Sequence, residues 1–369
     1  MTLPPEEEEE PPVYLQPIDG PVGDLFPEEK PSIPQRRLPL TAFSEVIPHL
    51  NTSAIRTKLF SYEELAIATD NFSHSNSLGR GSFSRVYRGK LSDTKVAIKK
   101  FLNPDRNESH FVSEILAISR INHPNIVKML GYCTDYADKL LVLEFLPNKS
   151  LKFNLHGRTL LTINWKNRMK IALGTAKGLA YLHNCNPKII HRNIKSNSIL
   201  LDSDFEPKIA GFEIAVSLSH SISHIMTDFK GTFGYMAPEY MKDRRLSDKA
   251  DVFCFGVVLL GLITGKKPYS YTKDGCPYLT TWAMPLLEFA LESNEYNIAI
   301  DPRLGNEYDK EEMGRVMCCA AACVYKPEEN RPGMDQIVEA LQGSLAMEQI
   351  WHLKNDKHYL RGPLPIKDT

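Results

Sequence analysis

The chain has 369 residues, 42% hydrophobic and 24% charged, which is enough apolar content for a substantial core and enough length for one two-lobed domain with tails. A count of 44 Lys and Arg against 45 Asp and Glu leaves a formal charge of -1, so no global field recruits nucleic acid or an anionic membrane. No apolar run reaches the roughly 18–20 residues that span a bilayer; the longest, Val252 to Ile263, is broken by glycines and predicts a buried helix.

Residues 1–58 are rich in proline and include the acidic run Glu6 to Glu10. Proline withholds backbone donors and like charges repel, which predicts a disordered, partly polyproline II tail. No secretory leader pattern opens the sequence, and Thr2 excludes N-myristoylation. From Phe60 the texture changes: the apolar spacing of Tyr62 to Thr69 predicts a flanking helix within 59–71, with Ser61 as its N-cap. Leu78 to Val86 is a glycine-bearing turn between two β-prone runs. Lys95 to Phe101 alternates as a strand, Glu108 to Ile121 has an amphipathic helical period, and Leu140 to Phe145 is a short apolar strand. After Leu151 the pattern is mainly helical, over Trp165 to His183, Asp248 to Thr264, Thr281 to Ser293, Lys310 to Val324 and Met334 to Leu345. Residues 347–369 carry no clear pattern and predict a tail. A strand-rich segment, 72–148, followed by a helix-rich one, 149–346, predicts an α+β, bilobal fold with a small β-rich N-lobe and a larger helical C-lobe.

The seven cysteines contain no C-x-x-C pair; Cys318, Cys319 and Cys323 cluster at helical spacing in an apolar stretch and predict buried reduced thiols rather than a metal site. In a cytosolic setting the N-x-S/T matches at Asn51, Asn71, Asn107 and Asn148 are chance.

Gly79-Arg80-Gly81-Ser82-Phe83-Ser84-Arg85-Val86 follows G-x-G-x-x-G-x-V except that Ser84 stands at the third glycine. Glycines in such a turn let backbone N–H groups approach phosphates closely. Alone the motif is weak. It gains weight from order: Val96-Ala97-Ile98-Lys99 follows on the next predicted strand, and Glu114 sits on the helix after it. Further on, His191-Arg192-Asn193-Ile194-Lys195-Ser196-Asn197-Ser198 follows H-R-D-x-x-x-x-N, with Asn193 at the Asp and Ser198 at the final Asn. Gly211-Phe212-Glu213 stands where D-F-G belongs.

With Gly231 to Tyr240, Asp251-Val252-Phe253 and Glu329-Asn330-Arg331-Pro332, these stretches make residues 60–345 resemble plant receptor-like kinases, most closely the proline-rich receptor-like type. The resemblance implies a protein-kinase-like fold. It implies nucleotide-binding positions at Leu78, Gly79, Gly81, Val86, Ala97 and Lys99, with Glu114 as the lysine's ion-pair partner. Leu143 would be the gatekeeper, Glu144 to Leu146 the hinge that meets adenine, and Leu200 the floor of the adenine pocket. Glu239 would pair with Arg331, and Asp251 would anchor the catalytic loop. Gly261 replaces an acidic residue common there in relatives.

Three departures are all chemical. Asn193 cannot accept a proton, and a positioned base contributes ~10²–10⁴ in rate. Ser198 offers a hydroxyl where an amide oxygen should hold a second metal ion, and Gly211 lacks the principal metal carboxylate. No catalytic residue of the set is intact, and the pattern argues against a bound metal. Asn197 and Glu213 could supply replacements after local rearrangement; equally, both could be ordinary polar residues in a drifted site. The sequence therefore predicts a pseudokinase, a binding or switching module that retains ATP weakly and with little need for Mg²⁺. The alternative is a residual serine/threonine kinase. Partners would be signalling proteins such as active receptor-like kinases, with no nucleic acid and no transmembrane segment. The expected location is cytoplasmic, at the plasma membrane through partners. Arg192 could receive a phosphate from the activation segment, with Thr227 the candidate site and Ser217, Ser219, Ser221 and Ser223 nearby.

Overall fold

A computed structural model describes residues 57–135, 138–157, 162–270, 278–325 and 327–350. The acidic, proline-rich stretch through residue 56 and the C-terminal residues 351–369 lie outside the described residues, and so do the expectations made for them.

The N-terminal lobe is built on a six-stranded sheet of β1 (Lys58–Leu59), β2 (Ser77–Arg80), β3 (Ser84–Leu91), β4 (Thr94–Phe101), β5 (Met129–Cys133) and β6 (Leu140–Glu144). Their spatial order is β1-β5-β6-β4-β3-β2. All neighbours are antiparallel except β1 and β5. Alternation along β4 decides its two faces. Val96 and Ile98 face outward, where Phe60 and Leu65 cover them together with Leu140 and Val142. Leu65 belongs to α1 (Tyr62–Ala68), which begins with a capping box: Ser61 Oγ accepts from the Glu64 N–H at 3.1 Å and Glu64 Oε2 accepts from the Ser61 N–H at 2.8 Å. The inner face carries Phe101, Leu141 and Leu143 into the main core, with Phe111, Ile115 and Ile118 of α2 (Pro104–Ile118). This helix starts four residues before the predicted Glu108, because Pro104 suits a first-turn position that needs no donor.

The second lobe is mainly helical. It contains α3 (Leu151–His156), α4 (Trp165–Asn184), α5 (Pro238–Asp243), α6 (Asp248–Thr264), α7 (Leu279–Ser293), α8 (Lys310–Cys323), α9 (Met334–Gln342) and α10 (Met347–Ile350). Every residue of α6 from Ala250 to Thr264 is buried, so it is the axis on which the lobe packs. A side chain at Gly256 would put Cβ 2.7 Å from Cys323 Cβ, so the glycine sets how closely α6 meets α8. Cys318, Cys319 and Cys323 are buried in α8, and burial raises each thiol's pKa. Among the described residues no helix is long and apolar enough to cross a membrane. Short strands position the loops between the helices: β7 (Lys188–Ile190) pairs with β10 (Val216–Leu218), β8 (Ile199–Leu201) with β9 (Pro207–Ile209), and β11 (Ile225–Met226) with β12 (Arg245–Leu246). The expected α+β, two-lobed architecture is the one observed.

Candidate functional site

Lys99 points from β4 beneath the sheet. Its Nζ lies 2.6 Å from Glu114 Oε2 on α2 and 2.5 Å from Glu213 Oε1. Burial alone would lower the lysine's pKa; the two carboxylates outweigh it, and the pKa is raised. Burial pushes Glu114 up to about 7 against the pull of Lys99. Burial also acts to raise Glu213, but Lys99 overcomes it and holds that carboxyl below its usual range. Sequence order brings Lys99 and Glu114 together; the second carboxylate is the structure's addition.

Glu213 arrives there because the preceding backbone is tightly held. Ala210 donates its N–H to Ser198 O at 2.8 Å, and Phe212 is fully buried, edge-on to His191 with ring centroids 4.6 Å apart. Gly211 sits at φ +84, where side chains are strained. A Cβ built on Gly211 would lie 3.3 Å from Glu213 Oε2 and 4.0 Å from Ser198 Cβ. Part of the space that a side chain at 211 would enter thus faces the Glu213 carboxylate.

The loop from His191 to Ser198 is fixed from below. Asp251, fully buried in α6, accepts the backbone N–H groups of His191 at 2.7 Å and Arg192 at 2.8 Å. Asn193 Oδ1 accepts from the Thr232 hydroxyl at 2.8 Å, and that hydroxyl accepts from Lys195 Nζ at 2.7 Å. An ammonium only donates, so the hydroxyl's single proton goes to Asn193, which turns the carboxamide NH₂ away from Thr232. Burial lowers the Lys195 pKa. Neither Lys195 nor Thr232 stood out in the sequence, although both lie within motifs that did.

Ser198 is buried, and its hydroxyl donates to Lys195 O at 2.9 Å while accepting from Lys195 N at 3.0 Å. It closes a local turn. Asn197 is exposed on the outside of the loop, where its Oδ1 accepts from Ser150 Oγ at 3.2 Å, so it does not replace Ser198. Among the described residues no group of three or more His, Cys, Asp or Glu could hold a metal by itself. Among the described residues, the carboxylate nearest to a side chain built on Gly211 is that of Glu213.

The other positions expected to bind nucleotide lie on or beside β2, β3, β4, β6 and β8. Val86 on β3 pairs with both Gly79 and Lys99, and Ala97 pairs with Leu143 on β6. Leu78, Gly79 and Gly81 are exposed, and a Cβ at Gly79 would meet nothing within 4 Å. Leu146 is buried and Leu200 is half-buried against the core. The Glu144 side chain is engaged elsewhere: Oε1 accepts from the Lys128 N–H at 2.7 Å and lies 3.0 Å from Lys208 Nζ.

Arg192 leans on the activation segment. Its Nη2 donates to Asp228 O at 3.0 Å and the Tyr240 hydroxyl at 2.7 Å, and reaches Thr227 Oγ1 at 3.5 Å. The segment ends at Glu239, which grips Arg331 through two bonds of 2.7 and 2.8 Å.

The protein kinase domain family matches residues 72–340. The chain is 47% identical over 298 residues to the proline-rich receptor-like protein kinase PERK1 of Arabidopsis thaliana, covering 79% of this chain and 45% of that protein. It is 47% identical over 291 residues to PERK2 of the same plant, covering 78% and 41%, and 46% identical over 305 residues to PERK15, covering 81% and 60%. The chain spans 41% to 60% of the length of these relatives. It belongs to the protein kinase family, and within it is similar to the proline-rich receptor-like kinases of plants.

Proposed function

We propose that the chain is a nucleotide-binding protein-kinase module whose own phosphoryl transfer is severely slowed, and which acts by binding or switching in receptor-kinase signalling. The observation that carries this reading is Asn193. Its carboxamide keeps a hydrogen bond to Thr232 but is non-basic, so a substrate hydroxyl would keep its proton. Loss of the base alone removes about 3–5.5 kcal/mol of transition-state stabilisation. The effect of Ser198 adds to this, though not linearly. The working unit is taken as the lobes at 72–148 and 149–346, with the flank at 59–71.

ATP is the proposed nucleotide, at Leu78, Gly79, Gly81, Val86, Ala97, Lys99, Leu200 and the Glu144–Leu146 hinge. Protein kinases use ATP with magnesium, and nothing in the relatives supports the expectation of weak, magnesium-independent binding. Active receptor-like kinases are the proposed partners, which would bring a cytoplasmic module to the plasma membrane; membrane fractionation unchanged by a bound receptor kinase would sink that part. Input would come through Thr227. A phosphate there would meet Arg192, already 3.5 Å from the hydroxyl, and order the segment. Stoichiometric phosphorylation of Thr227 is expected to slow proteolysis within residues 217–231, and an unchanged cleavage rate refutes the switch.

A second reading is a working serine/threonine kinase. The relatives' names favour it, and so does the Lys195–Thr232 contact beside the substrate-facing segment. Phosphotransfer from labelled ATP, with Mg²⁺ and with Mn²⁺, decides between them. Turnover at least about 100-fold below the ~1–100 s⁻¹ of ordinary kinases is expected. Ordinary turnover that vanishes in Lys99→Ala would establish the second reading instead.

A further inference from the structure

We propose that Glu213 has taken over, from the third position of its motif, the carboxylate missing at Gly211, and would help hold a divalent cation that accompanies the nucleotide. The inference rests on the nucleotide-binding reading above and deepens it.

Three observations carry it. The first is place. Glu213 Oε2 lies 3.3 Å from where a Cβ on Gly211 would be, so its carboxylate borders the space that an acidic side chain at 211 would enter. The longer glutamate side chain covers the distance from two residues away because Gly211, at φ +84, contributes no side chain of its own. The second is access. Glu114 is sealed, with a side chain 0% exposed, whereas Glu213 keeps 15% exposure. Of the two carboxylates on Lys99, only Glu213 can meet a ligand. The third is charge. Lys99 is shared between two carboxylates, of which Glu213 is the one held in its charged form, and the neighbours at 193, 198 and 211 add no carboxylate of their own. A polyphosphate entering alone would set its charge against the accessible Glu213 carboxylate. A divalent cation removes that conflict. Magnesium commonly binds through one or two carboxylates plus phosphate oxygens and water, so a cage of protein ligands is not required.

The same contact could act oppositely, as a plug that keeps Lys99 from phosphate. The two roles predict opposite results. Binding of a non-hydrolysable ATP analogue to the full chain is measured by calorimetry in Mg²⁺, in Mn²⁺ and in EDTA. The variants are Glu213→Ala and Glu213→Gln, the latter keeping the side chain's shape and a hydrogen bond to Lys99; thermal melts confirm that each folds. If Glu213 holds the cation, metal tightens binding by about tenfold or more in the natural chain, and most of that gain disappears in both variants. A metal gain that survives both substitutions overturns the proposal while leaving nucleotide binding intact. Equal affinity in Mg²⁺ and EDTA overturns it too, and stronger binding by Glu213→Ala in EDTA then identifies a plug. Silence from the natural chain at millimolar analogue, with and without metal, overturns both this proposal and the nucleotide reading.

Discussion

At Asn193 a carboxamide stands in a hydrogen-bonding frame that would suit a carboxylate equally well, because Thr232 needs only an acceptor there. Packing therefore cannot distinguish the two residues, and proton affinity does. The same separation of shape from chemistry occurs at Ser198, whose hydroxyl is engaged by Lys195 rather than by the cleft. Elsewhere, single residues affect stability through protonation. His156 ends α3, and its pKa is lowered to about 4 by burial first and then by Lys267, Arg303 and Lys152, with Asp301 opposing. An unfolded histidine titrates near 6.5, so the unfolded chain takes up a proton that the folded chain refuses. This contribution to stability is present above about pH 6.5 and is lost as pH falls toward about 4. Denaturant unfolding of His156→Gln between those limits is expected to show a shallower pH dependence than the natural chain; parallel curves would refute the assignment.

At the scale of elements, two glycines of α6 face different surroundings. A Cβ at Gly261 would meet Lys266 O at 3.7 Å and Leu155 Cδ1 at 4.0 Å, both ordinary contacts. Gly261→Ala should therefore stabilise the fold by about 0.5–1 kcal/mol, the helix-propensity difference. Gly256→Ala should destabilise it by about 1–3 kcal/mol, because α8 lies too close to accept a methyl group. Paired melts check both signs, and a common direction would contradict this account. The helices with long apolar periods, α4, α6 and α8, were legible in the sequence, as were β4 and β6. By contrast, β5 reads Met-Leu-Gly-Tyr-Cys, and its glycine looks like a turn; Gly131 is required because a Cβ there would press on the Lys58 carbonyl and the Phe60 ring. β1, two residues long, gives no period, and α3, at six residues, is shorter than any useful window. In the site, Lys99 and Glu114 could be read from strand–helix order. The Lys99–Glu213 contact joins residues 114 apart and depends on the turn at Gly211 and the burial of Phe212, neither of which a motif encodes.

At the scale of the molecule, the segment from Lys58 to Ala68 is part of the N-terminal lobe. Phe60 and Leu65 shield Val96, Ile98, Leu140 and Val142, each at most 1% exposed. A chain beginning at Phe72 would uncover an aliphatic face whose burial is worth about 1.5–3 kcal/mol per side chain when complete. Such a chain is expected to melt several degrees lower or to aggregate, as thermal unfolding and light scattering would report; an unchanged midpoint would show the flank to be dispensable. An acidic residue at position 211, finally, is obstructed by its own neighbour. An aspartate there places its Cβ 3.3 Å from Glu213 Oε2, sets two carboxylates against each other, and strains a backbone at φ +84. Removing Glu213 first strips Lys99 of one of its two ion pairs and leaves no accessible carboxylate beside it. Neither change alone leaves an uncontested carboxylate beside Lys99, so an acidic residue at 211 and a smaller one at 213 have to come as a pair.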